Sequence, residues 1–245
     1  MDHGHAFAVH VKQMIEELER SGHGFSAIIV CPFFANEGFP NLCDGFLDPT
    51  VRLVHDAGGI VIADEVQPGF GRLGSHMWGH QKIGLKPDIV TLGKPMGNGY
   101  PIAGVMTSPE ILSAFQDSFR YFNTFGGNPV ACAAGEAVLD ILGEEKLVER
   151  ALDVGSHSLE RLKDLAARYS CIGDVRGSGL FFGAELVVDP NRALNPINKA
   201  DFRSLFKNKS CFFHLLLQET LNVLNGSNFS ISNNGSSLTH SLDFG

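Results

Sequence analysis

Ile60-Val61-Ile62-Ala63-Asp64-Glu65-Val66-Gln67 runs four apolar residues straight into two acids. An apolar run this short, without polar alternation, fits a strand buried on both faces of a parallel sheet. The acids then fall at the strand's carboxyl end. Upstream, Ala27-Ile28-Ile29-Val30 repeats the pattern, and Pro49 to Ala57 between the two reads as a helix closed by Gly58-Gly59. Downstream, Asp88-Ile89-Val90-Thr91-Leu92 and Ile102-Ala103-Gly104-Val105-Met106 add two more strands. Strands alternating with helices predict an α/β domain with a mostly parallel sheet and flanking helices.

Phe7 to Arg20 carries Val9, Val11, Met14, Ile15 and Leu18 at close to helical spacing, and Gly22 and Gly24 stop it. Pro129 to Leu142 and Lys146 to Arg168 read as two further helices. Ile172 to Val188 reads as a strand pair around Gly177 and Gly179, the start of a smaller α+β domain. After Pro196 the composition shifts toward Asn and Ser; Lys209 to Leu224 can form a helix, while Gly226 to Gly245 reads as loop or disorder. The expected division is residues 1–145 for a large domain, 146–196 for a linking helix and the start of the small domain, and 197–245 for a divergent tail.

The net charge of −8 is dispersed over 27 acidic and 19 basic residues. That disfavours nucleic acid or an anionic membrane as partner, because both call for a basic face. Cys31, Cys43, Cys132, Cys171 and Cys211 are odd in number and widely spaced, which suggests neither a disulfide framework nor a zinc site, so no metal is expected. The first residues show no basic region followed by an apolar stretch, and no run approaches membrane-spanning length. The expectation is a soluble, cytoplasmic protein.

Three polar motifs fall at strand ends or helix starts, where α/β sheets bind ligands. They are Asp64-Glu65-Val66-Gln67, then Gly93-Lys94-Pro95-Met96-Gly97-Asn98-Gly99, then Asn123-Thr124-Phe125-Gly126-Gly127-Asn128-Pro129. Singly, each has an ordinary reading: a capping acid, a solvated loop lysine, a turn before a helix with proline at its first position. Gly97-Asn98-Gly99 is no dinucleotide fingerprint, since it lacks the third glycine and the following helix. Together they supply a carboxylate, an amine and a hydroxyl beside glycine N–H groups. That is the set an electron-sink pyridine aldehyde with a phosphate tail requires.

The order and wording of these motifs resemble the class-III pyridoxal-phosphate aminotransferases, in particular the branch with ethanolamine-phosphate and phosphohydroxylysine phospho-lyases. The resemblance covers about Phe7 to Asn195. It implies a fold-type I large domain, present in part, followed by the start of the small α+β C-terminal domain. It also implies pyridoxal 5'-phosphate as cofactor. Asp64 would pair with the pyridine nitrogen, Val66 would pack on the ring and Gln67 would reach the phenolic oxygen. Lys94 would form the Schiff base and then move the substrate's α-proton. Thr124 would bind the cofactor phosphate of the neighbouring subunit, which makes a homodimer part of the inference. Glu37 stands where the family often has a substrate-gating glutamate, and Arg176 matches a motif at the entry to the small domain.

Two departures follow from the same comparison. The family places a longer segment before residue 1, with a Ser/Gly-rich phosphate loop and a ring-stacking aromatic, and it completes the small domain after about Pro196. The expectation is therefore a fragment with an unmatched C-terminal tail. The implied activity is amino-group transfer between an amine or amino acid and a keto acid. The alternatives are a phospho-lyase acting on a phosphorylated amine, and an inactive remnant that associates with a full-length relative.

Overall fold

Four short apolar runs pair into one sheet, ordered β1-β2-β3-β4, in a computed structural model that describes residues 3–187. β1 (Ala27–Val30), β2 (Ile60–Asp64) and β3 (Ile89–Leu92) run parallel, and β4 (Gly104–Thr107) returns antiparallel along β3. The mostly parallel sheet expected from the sequence is present. Register pairs Ile29 with Ile62 and Asp64 with Thr91.

Helices cover this sheet because each has one apolar stripe to bury. α1 (His3–Arg20) packs on α2 (Asp48–Asp56), and α2 packs on β2. Between them lies a core in which Val54, Val61 and Ala63 are essentially inaccessible. A short α3 (Gly79–Lys82) and a 3₁₀ turn (Lys94–Gly97) follow β2 and β3. α4 (Pro109–Ser118) starts where the Ser108 hydroxyl accepts the Ile111 N–H at 3.4 Å. α5 (Pro129–Glu144) starts where the Asn128 side chain accepts the Ala131 N–H at 3.0 Å. α6 (Leu147–Arg168) leads into the hairpin β5 (Ile172–Ser178) and β6 (Phe181–Leu186), and packs on both strands. Gly155 of α6 lies against the Gly179 backbone so closely that no Cβ would fit.

One residue ties the amino end of β2 to the carboxyl end of the antiparallel β4. Asp88 Oδ2 accepts the Val61 N–H at 2.7 Å and lies 2.9 Å from His55 Nε2, while its backbone oxygen accepts the Thr107 hydroxyl at 2.9 Å. Burial works to raise the Asp88 carboxyl, but the Val61 N–H and His55 outweigh it and hold the group below its ordinary range.

Three expectations need correction. Ala27–Val30 is not buried on both faces: β1 is a sheet edge, and Ile29 is 61% exposed. The fourth strand begins at Gly104 rather than Ile102, runs antiparallel, and as the other edge leaves Val105 exposed. α4 was absent from the sequence reading although Ser108-Pro109-Glu110 is a legible start signal. The expected helix at Lys209 to Leu224, the loop beyond it and the tail 197–245 lie outside the described residues.

Candidate functional site

Parallel pairing of β2 and β3 brings their carboxyl ends side by side, so Asp64 closes one strand and Lys94 follows the other by two residues. Asp64 is half-buried. Its Oδ1 accepts the Val66 N–H at 3.0 Å and the Thr91 hydroxyl at 3.5 Å. Among the described residues its second oxygen accepts no hydrogen bond. Thr91, a lone hydroxyl within the apolar run Ile89–Leu92, is a site residue that sequence reasoning passed over; its polarity there was the available signal.

Glu65, the next residue, is completely buried. Its carboxylate accepts the Gly79 N–H at 2.8 Å and the His80 N–H at 2.7 Å, with His80 Nδ1 at 2.8 Å. This clamp ties the turn after β2 to the start of α3. Val66 leaves the clamp to lie against Gly93: a Cβ there would meet the Val66 methyl groups at 3.4 and 3.5 Å. Lys94 is exposed, sits at a φ of 20°, and its amine has no hydrogen-bond or ion-pair partner among the described residues.

Gln67 turns its Nε2 to Asn36 Oδ1 at 3.2 Å, so the loop after β1 reaches the same strand ends. Glu37, the next residue in that loop, is exposed and has no ion pair among the described residues. Cys31 opens the loop; burial pushes its thiol up, and the carboxylates of Asp64 and Glu37 add to this. It therefore stays a protonated thiol at neutral pH and is no candidate nucleophile. Arg176 holds the loop from the far side by donating from Nε to the Gly38 carbonyl at 3.0 Å. Neither Asn36 nor the Arg176 contact was legible, because their partners lie 31 and 138 residues away.

The structure thus brings Asp64, Val66, Gln67 and Lys94 to one end of the sheet, with Glu37 on the adjoining loop. Thr124 is presented elsewhere, fully on the surface, and makes no hydrogen bond among the described residues. Its segment is preformed: Asn123 Oδ1 accepts the Phe125 N–H at 3.1 Å and the Gly126 N–H at 2.8 Å. The Gly126 N–H is therefore already engaged, which removes one of the glycine donors expected beside Thr124. Around it Phe119, Tyr121, Phe122 and Phe125 are exposed, and a cleft of about 1150 Å³ opens between this segment, β4 and α4.

Residues 3–223 match the family model for class-III aminotransferases. The chain is 45% identical over 182 residues to alanine–glyoxylate aminotransferase 2, mitochondrial, of Homo sapiens, a match covering 72% of this chain and 35% of that protein. It is 50% identical over 140 residues to ethanolamine-phosphate phospho-lyase homolog 1 of Caenorhabditis elegans, covering 56% of this chain and 30% of that one. Among solved structures, a phospholyase from Arthrobacter in complex with phosphoethanolamine superposes with a TM-score of 0.74 at 43% identity, over 78% of this chain and 45% of that chain. A Bacillus anthracis aminotransferase does so with a TM-score of 0.70 at 32% identity, over 80% and 45%. The chain spans about a third of the length of the curated relatives it matches. The family match continues to residue 223, past the Asn195 at which the motif resemblance ended. The sheet and the motif order at its carboxyl end agree with fold-type I, and the chain belongs to the class-III aminotransferase family, a family of pyridoxal-phosphate enzymes.

Proposed function

We propose that the protein is a pyridoxal-phosphate-dependent transaminase, moving an amino group between an amine or amino acid and a keto acid, with Lys94 holding the cofactor covalently. One observation carries the reading. An unpaired carboxylate oxygen on Asp64 and an unpaired amine on Lys94 stand at the ends of adjacent parallel strands, with Val66 packed against Gly93. This donor set fits the cofactor, since a pyridine nitrogen, an aldehyde and a flat ring call for an acid, an amine and an apolar surface.

Pyridoxal phosphate, when bound, supplies the aldehyde and the electron-withdrawing ring that the reaction needs. Asp64 would accept a hydrogen bond from the ring nitrogen and keep the proton there; the Val66 N–H and Thr91 hydroxyl on its other oxygen fix its direction. Gln67 would donate an amide N–H to the phenolic oxygen, and Val66 would cover one ring face. The Lys94 amine would move the proton at the substrate's α-carbon. Glu37, on the loop beside Gln67, would face the incoming substrate. Thr124, exposed on a preformed turn, would reach the phosphate of a neighbouring subunit, and the exposed aromatic residues around it support a homodimer. The same reading keeps residues 1–145 as the cofactor-binding part and 146–196 as the linking helix and start of the small domain. α6 begins at Leu147, after a left-handed Lys146 (φ 50°). A cytoplasmic location rests on the free cysteines Cys31, Cys43, Cys132 and Cys171; among the described residues no helix is long and apolar enough to cross a membrane.

Borohydride reduction of the protein after incubation with pyridoxal phosphate, followed by peptide mapping, tests the assignment. A pyridoxyl label on Lys94 is expected, and Lys94→Ala should reduce it to background. A label on another lysine would end the assignment, and no label at all would leave the role of a non-catalytic partner to a relative. The likeness to the Arthrobacter phospholyase favours a second reading, elimination of phosphate from a phosphorylated amine. Release of inorganic phosphate from phosphoethanolamine, against keto-acid-dependent deamination, separates the two.

A further inference from the structure

Residues 31–39 close on themselves. The Phe34 N–H donates to the Cys31 carbonyl at 3.0 Å, and the N–H groups of Glu37 and Phe39 both donate to the Phe34 carbonyl at 3.2 Å. Phe34 and Phe39 adopt φ of 47° and 58°, left-handed angles that bulky residues hold only where the surroundings enforce them. Phe34 is held by Phe7 and Phe46, with ring centroids at 5.9 Å from each, and Phe39 is held by the hairpin. Phe39 and Phe33 pack on Phe181 with ring centroids at 4.9 and 5.4 Å, and Arg176 Nε donates to the Gly38 carbonyl at 3.0 Å. Arg176 is itself pinned to its own hairpin, with Nη1 at 2.6 Å from Asp174 and 2.7 Å from Glu185. Those contacts raise its pKa further, led by the hydrogen bond to Asp174, so the fork is always charged. On the opposite side of the loop, Asn36 Oδ1 accepts the Gln67 amide. Hairpin and Gln67 therefore hold the same loop at Gly38 and Asn36, and the backbone from Asn36 to Gly38 joins the two contacts.

We propose that Arg176 and Asn36 are positioning residues that link the β5–β6 hairpin to Gln67, so that the hairpin's placement sets the direction of the Gln67 amide. The consequence for catalysis rests on the role given to Gln67 above; the link itself does not. An amide has two N–H donors, and its terminal torsion is otherwise broad. Engaging one donor on Asn36 fixes the plane and aims the second. Arg176 is suited to its end because a planar fork can serve two carboxylates and a carbonyl at once, whereas a lysine is a point charge without that geometry.

The test reads the Gln67 side-chain amide by ¹H–¹⁵N NMR in the ligand-free protein, with the resonance assigned by its disappearance in Gln67→Glu. In the unmodified protein the amide should be rigid on the nanosecond scale. Asn36→Ala should free it, and Asn36→Asp, which keeps an acceptor, should hold it. Arg176→Lys should loosen it although it lies two contacts away, and should add nothing in the Asn36→Ala background. Should Arg176→Lys unfold, Asp174→Asn, which removes one anchor of the fork, serves the same comparison. A Gln67 amide that is free from the start, or that ignores both hairpin variants while the 31–39 backbone responds, overturns the link. Titration of the same samples with pyridoxal phosphate reports on cofactor binding separately: absence of binding in all of them counts against the transaminase reading and leaves the amide result standing.

Discussion

The Glu65 carboxylate takes the N–H groups of Gly79 and His80 at 2.8 and 2.7 Å inside a site closed to solvent, while Asp64 beside it keeps one oxygen unpaired at the strand end. Adjacent acids thus serve opposite ends, one holding the turn and the other facing out. Removing the buried acid strands its donors and the His80 ring, so Glu65→Ala should lower the unfolding free energy by about 3–5 kcal/mol. Asp64→Asn keeps an acceptor for Val66 and should change stability by less than about 1 kcal/mol. Urea unfolding of the two variants decides; equal losses would show that Asp64 is as structural as its neighbour. The sequence exposed Asp64 and Lys94 because one closes an apolar run and the other follows one by two residues, and polarity at a strand end is a local signal. Glu65 carried the same local signal, yet its burial depends on residues 14 and 15 positions downstream. No periodicity reports that distance.

Between elements, the Asp88 carboxylate joins helix α2, through His55, to the amino end of β2, and its backbone oxygen takes the Thr107 hydroxyl at the carboxyl end of the antiparallel β4. Its carboxyl is held below its ordinary range in the folded state, by the Val61 N–H and His55 against the opposing effect of burial. A depressed folded pKa contributes stability above the unfolded value, about 3.9, and that contribution disappears as the pH falls through the folded pKa. Asp88→Asn should therefore be less stable than the parent at about pH 6, with the difference closing as the pH falls through the lowered folded pKa. Thermal unfolding across that range measures it, and a difference independent of pH would show that charge is irrelevant to the staple. Strands and long helices were legible here because their apolar spacing is strong: α6 was placed to within one residue at its start. What failed was burial along β1 and β4, since a run such as Ala27–Val30 says that a strand is apolar and cannot say whether both faces of the sheet are covered there.

Over the whole molecule, the motif resemblance reached to Asn195 and the family match extends to residue 223. The resemblance implied that Thr124 faces a neighbouring subunit, but the breadth of the exposed aromatic surface around it was not read from the sequence. Phe119, Tyr121, Phe122 and Phe125 are 66–85% exposed, and α4 beside them has no buried residue. Isolated monomers seldom leave so many neighbouring aromatics in water, and the turn that carries them is braced by Asn123 and Asn128 rather than loose. The net charge of −8 opposes self-association only over a screened range of about 10 Å at 0.1 M salt. A second copy covering this face would also bring Thr124 to a neighbouring cofactor site. Sedimentation should then show a concentration-dependent dimer, and Phe122→Asp should weaken it by about 30-fold or more, the effect of losing a central aromatic contact. Because Phe122 is 85% exposed in the single chain, the unfolding transition measured at monomer concentrations should not move. A protein that sediments as a monomer at every concentration, or a variant that dimerises as well as the parent, would remove both the interface and the role of Thr124 in a partner's phosphate site.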